Sequence, residues 1–134
     1  MKSKISLLLL LLVMFTGCLK SPEEKLDSRI KKMIELIENK QYQEFLEEYY
    51  DDDINDMWKK GGGMEAWARQ FDEKYKNNIL AALKKVQTLK ADFNKDKTIA
   101  LYSDESFLIG FGFYNKDGWR IIAQRNLISL INSF

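Results

Sequence analysis

The chain has 134 residues, 46% of them apolar and 31% charged, the balance of one folded domain rather than of a disordered tail. Its single cysteine excludes an internal disulfide, and the absence of histidine removes the commonest general base and metal ligand, so no Ser–His or Cys–His nucleophile can be assembled. With 21 basic and 20 acidic residues, the chain carries no electrostatic footprint for nucleic acid, and none is expected as a partner.

The first twenty residues divide into three regions. Lys2 and Lys4 give a positive start, Ile5 to Phe15 form an apolar stretch broken only by Ser6, and Thr16-Gly17 supply small residues before Cys18. This is the build of an export signal over residues 1–17. Eleven residues of helix would span about 16 Å, half a bilayer's hydrocarbon core, which argues against a permanent transmembrane helix. Phe15-Thr16-Gly17-Cys18 resembles a bacterial lipobox, with Phe15 where Leu is usual and Thr16 where Ala or Ser is usual. The resemblance implies that Cys18 carries a diacylglyceryl group and, once freed by cleavage, an N-acyl chain. Several acyl chains anchor stably, since each buried methylene contributes about 0.8 kcal/mol. The expected address is therefore the bacterial cell membrane or outer membrane, lipid-anchored and extracytoplasmic, with the membrane itself as partner. Leu19 is not the aspartate that resembles an inner-membrane retention signal. Taking Lys2 and Lys4 from the 21 basic residues leaves 19 against 20 acidic in the mature chain.

Residues 18–23 form a lipidated tether, and a helix begins after Ser21. Ser21 can cap, Pro22 suits the first helical position, and Glu24 lies three residues on. Leu26, Ile30, Met33, Ile34 and Ile37 recur at spacings of three and four, as do Tyr42, Phe45, Leu46 and Tyr49 after Asn39-Lys40. These two helices should form a hairpin. Asp51-Asp52-Asp53 and Gly61-Gly62-Gly63 bracket a segment read as irregular. Met64, Trp67, Ala68, Phe71, Tyr75, Ile79 and Leu83 then predict a long third helix.

From Gln87 the period becomes two. Leu89, Ala91 and Phe93 predict the first strand, and Ile99 and Leu101 the apolar side of the second. Phe107 to Tyr114 predict the third, and Trp119 to Gln124 the fourth, entered through Asn115-Lys116-Asp117-Gly118. Three short connections imply an antiparallel meander. Helices followed by strands give an α+β domain over residues 24–126, with a helical hairpin and a long third helix packed on a curved four-stranded sheet. This order resembles the NTF2-like (cystatin-like, SnoaL-like) superfamily. The segment from Ile37 to Phe45 is similar to its first helical turn, Asp51-Asp52-Asp53-Ile54 to the exit of its second helix, and Asp117 to Ile122 to its closing strand. The fold hosts enzymes, carriers and adaptors alike.

Both faces of the third strand lack charge, so both must be covered. One face would meet the helices; the other would meet a second subunit, a ligand, or the tail 127–134, in which Leu127, Ile131 and Phe134 fall at helical spacing. The family's cone implies a cavity between long helix and sheet, for which Trp58, Trp67, Phe71, Tyr75, Tyr102 and Phe111 are candidate lining residues. The plainer expectation is that these rings fill the core. Asp51, Asp53 and Asn55 fit the first three positions of a calcium loop, but Asp56 stands where glycine is needed and Gly62 where glutamate is needed. Asp92, Tyr102, Asp104 and Tyr114 are the groups available for proton transfer, and nothing pairs them. No catalytic residue, metal or cofactor is expected beyond the lipid on Cys18. The expectation is a non-enzymatic module for a small hydrophobic ligand or a protein partner. The alternatives are an isomerase- or dehydratase-type enzyme of the same fold, and an envelope component dimerising through its sheet.

Overall fold

The computed structural model describes residues 20–131, so the leader, Cys18 and Asn132 to Phe134 lie outside the described residues. Helix α1 (Pro22–Glu38) starts where Ser21 Oγ accepts the Glu24 N–H at 3.2 Å, with Pro22 in the first turn. Its buried stripe is Leu26, Ile30, Met33, Leu36 and Ile37. The helix ends as Lys40 enters the left-handed region, with the Lys40 and Gln41 N–H groups donating to the carbonyls of Ile37 and Leu36. Helix α2 (Tyr42–Tyr49) packs back on α1 through Tyr42, Phe45, Leu46 and Tyr49. Two arginines take up the carbonyls that α2 leaves open at its C-terminus. Arg120 donates to Glu47 O at 2.7 Å and to Tyr50 O at 3.0 Å, and Arg29 donates to Glu48 O at 3.3 Å.

The segment between the aspartate and glycine triplets, expected to be irregular, is helix α3 (Asp52–Gly61). Asp51 caps it, Asp52 and Asp53 lie in its first turn, and Lys59 and Lys60 in its last, an order that suits the helix dipole. The long helix runs as α4 (Gly63–Gln70), a π-turn (Phe71–Tyr75) and α5 (Lys76–Val86), with the Lys76 N–H reaching back to Phe71 O.

The sheet is antiparallel in the order β1 (Asp92–Phe93), β2 (Ile99–Tyr102), β3 (Phe111–Asn115) and β4 (Trp119–Ile121), and it does not close into a barrel. The α+β meander is thus as the sequence predicts. Two details differ. In β2 it is Ala100 and Tyr102 that face the core, because pairing of Tyr102 with Phe111 and Ala100 with Phe113 fixes the register to the aromatic face of β3. Strand β3 also begins only at Phe111: Gly110, at φ +103, breaks the extended run, and a Cβ there would lie 2.9 Å from Leu101 Cδ1.

One sheet face, with Phe93, Ala100, Tyr102, Phe111, Phe113, Trp119 and Ile121, joins the helical core. On the other, Gly112 is covered by Ile122 and by Leu127 of helix α6 (Gln124–Ile131). A Cβ at Gly112 would sit 2.7 Å from Leu127 Cδ1, so glycine is what lets α6 lie directly on the strand.

Candidate functional site

A cavity of about 780 Å³ opens between α5, the β3–β4 end of the sheet and the start of α6. Ile79 and Ala82 come from one wall, Phe111 and Ile121 from the opposite wall, and Phe107 and Leu127 from the sides. Small-molecule sites commonly enclose about 300–1,000 Å³ with apolar walls and a few polar groups. The polar groups here are Tyr50, Tyr75, Asn78, Lys85, Ser106 and Gln124; none of the lining side chains is a carboxylate.

Local structure explains this placement. The π-turn holds an extra residue within one helical turn, and Tyr75, its last residue, lines the cavity while remaining 44% exposed. Tyr75 and Tyr50 both meet the Trp67 ring edge-on, at 5.7 and 5.8 Å. The Tyr50 hydroxyl has no hydrogen-bond partner among the described residues. Burial, aided by the nearby Asp51, pushes its pKa up to about 12, so at neutral pH it is an uncharged donor. The rim is set by Asp104. Its carboxylate accepts both the N–H and the hydroxyl of Ser106, at 2.8 and 2.9 Å, and pairs with Lys85 at 3.5 Å. The Ser106 hydrogen bonds, before the Lys85 charge, hold its pKa below the usual carboxylate range.

Trp67, which touches both tyrosines, is held by a polar knot. The buried Asn55 amide donates to Leu46 O and its oxygen accepts the Trp67 indole N–H at 3.0 Å. Trp58 then stacks parallel on Trp67, with 5.2 Å between ring centroids. Asp51, 3% exposed, ties two helices together. One carboxylate oxygen accepts the Asp53 and Ile54 N–H groups, at 2.8 and 3.2 Å. The other accepts the Ala123 N–H at 3.2 Å and the Asn126 amide at 2.8 Å. The carboxylate therefore sits at the N-terminal ends of both α3 and α6, where the helix dipoles favour negative charge.

Of the six candidate lining residues, Tyr75 and Phe111 line this cavity. Trp67, Phe71 and Tyr102 lie in the core at 3%, 0% and 2% exposure, and Trp58, half-buried against Trp67, does not line the cavity. The groups available for proton transfer are also dispersed. Asp92 is exposed on the edge strand, Tyr102 packs edge-on against Phe113, and the Tyr114 hydroxyl donates to Asp52 at 3.0 Å. Tyr50, Ile79, Lys85 and Ile121 were not legible as lining residues. Ile79 alone gave a signal, as a member of the long helix's apolar stripe. Among the described residues no group of three or more His, Cys, Asp or Glu side chains could hold a metal ion. Also among them, no helix is long and apolar enough to cross a membrane. No protein-family model matches the chain, and no curated protein or solved structure is significantly similar to it.

Proposed function

We propose that this is an extracytoplasmic lipoprotein, held to a bacterial membrane through Cys18, whose NTF2-like domain binds a small, mainly apolar ligand without transforming it. The cavity between α5 and the sheet carries the reading: its size suits a small molecule, and its walls are apolar with a few dispersed polar groups. Binding is favoured over catalysis by what the walls offer for proton transfer. The carboxylate at the rim is occupied by Ser106 and Lys85, and the half-buried Tyr50 phenol, its pKa pushed up to about 12, is uncharged at neutral pH. The lipobox-like Phe15-Thr16-Gly17-Cys18 supports the anchor.

The ligand reading is tested with the chain beginning at Leu19 and 1-anilinonaphthalene-8-sulfonate as an apolar probe. Ala82→Trp, which projects a large ring from α5 into the cavity, should cut probe uptake at least about tenfold with the urea midpoint preserved. Equal uptake by both proteins would sink the cavity as the binding site. The anchor is tested separately: the Cys18→Ala protein should leave the membrane fraction, and continued detergent-dependent fractionation would contradict it.

A further inference from the structure

A second cleft, of about 450 Å³, lies where the tether meets the domain, between α1 and the β3–β4 hairpin. Its charged side chains are Lys20, Lys25, Arg29 and Lys32, and no acidic residue lines it. Lys25, Arg29 and Lys32 stand at positions i, i+4 and i+7 of α1, which places them on one helix face. None of the four cations is in an ion pair among the described residues. Of the acidic residues near the start of α1, Glu23 is paired with Lys97 at 3.7 Å, and neither Glu24 nor Asp27 lines the cleft. Glu47, Glu48, Asp52 and Asp117 line a separate groove on the other side of Arg29. Trp119 also borders the cleft, but its ring belongs to the core face of the sheet, where it meets Phe93 edge-on. Arg29 is turned inward, donating to Trp119 O at 3.0 Å and Glu48 O at 3.3 Å, with its guanidinium 4.1 Å over the Tyr49 ring. Lys20, Lys25 and Lys32 are the cations left to form a surface complementary to an anion.

The tether decides which anion. Lys20 donates to Ser28 Oγ at 3.5 Å, so its side chain lies back along α1 beside the cleft. Lys20 is two residues after Cys18 in sequence. Two residues reach at most about 7 Å. A lipid on Cys18 therefore brings this cleft to the headgroup layer.

We propose that the cleft docks the phosphate of an anionic phospholipid headgroup in the membrane that holds the anchor, fixing the domain's orientation on the bilayer. This rests on the lipid-anchor reading, so the test uses protein without lipid. The chain beginning at Leu19 retains every described residue and the whole buried core from Leu26 to Leu127. It is sedimented at low salt with vesicles of phosphatidylcholine alone and of equal parts phosphatidylcholine and phosphatidylglycerol. Binding is expected on the mixed vesicles only, weakening as salt rises. Lys25→Glu with Lys32→Glu should lower it at least about tenfold, since both side chains are exposed and act at close range to the surface. Lys59→Glu with Lys60→Glu makes the same change in net charge on α3 and should leave binding within about twofold.

Equal losses in the two double variants, or no retention of the parent chain on mixed vesicles, would overturn the proposal. So would saturable shifts of the Lys25 and Lys32 side-chain resonances with inorganic phosphate when vesicles retain nothing, which would make the cleft a small-anion site. A Cys18 peptide isolated without acyl groups would instead refute the anchor alone.

Discussion

Removing the Asp51 carboxylate should be among the most costly single changes in this domain, although the residue sits in a run of three aspartates. Asp51→Ala removes the cap of α3, a loss of about 1 kcal/mol in typical helices. It also strands the buried Ala123 N–H, and an unsatisfied buried donor costs about 1–3 kcal/mol. The two together give about 2–4 kcal/mol, a large share of the roughly 5–15 kcal/mol that stabilises an ordinary domain. Urea unfolding of the chain beginning at Leu19, followed by tryptophan fluorescence, would show this as a midpoint lower by about 1–3 M. Asp53→Ala is the internal control, because Asp53 is exposed and its side chain makes no bond among the described residues. It should cost about 0.5 kcal/mol through the helix dipole. Equal effects of the two substitutions, or a cost below about 1 kcal/mol for Asp51→Ala, would refute the idea that one carboxylate holds α3 and α6 together.

Asn55→Ala should cost about 2–4 kcal/mol, because it leaves both Leu46 O and the buried Trp67 N–H unpaired; urea unfolding with unchanged stability would remove the polar knot from the account. Gly112→Ala should cost about 1–3 kcal/mol by pushing Leu127 away from β3, and a stabilised variant would show that α6 does not lie on the strand. The Tyr50 pKa makes a pH prediction. The phenol ionises near pH 10 when unfolded and near pH 12 when folded, so its contribution is complete below pH 10 and is lost as pH rises through 12. The loss is about 2–3 kcal/mol over that window. Tyr50→Phe should remove that part of the alkaline destabilisation, and identical alkaline curves for the two proteins would mean that folding does not raise the Tyr50 pKa.

The fold was legible where one periodicity dominated. Ser21-Pro22 with the stripe from Leu26 to Ile37 became a helix with that face inward. The run from Met64 to Leu83 became helical with Met64, Trp67, Phe71 and Leu83 buried, while the π-turn leaves Tyr75 exposed. The α3 segment was misread although its signals were present: Asp51 as a cap, Ile54, Met57 and Trp58 at helical spacing, and Lys59-Lys60 at the end. The flanking aspartate and glycine triplets read as loop composition outweighed them. The face of β2 was not legible because Ile99 and Leu101 are more apolar than Ala100 and Tyr102. Only pairing with Phe111 and Phe113 decides which set turns inward. The cavity was legible least. It depends on a π-turn that no periodicity reports and on residues from four separate elements. The largest rings of the long helix, Trp67 and Phe71, are consumed by the core.

The central claim is that the cavity between α5 and the sheet carries a small ligand. Native mass spectrometry of the chain from Leu19 to Phe134, purified gently from its own host's envelope, tests it most directly. The account predicts a reproducible added mass of a few hundred daltons, lost in the Ala82→Trp protein. A clean apo mass in both proteins would contradict it.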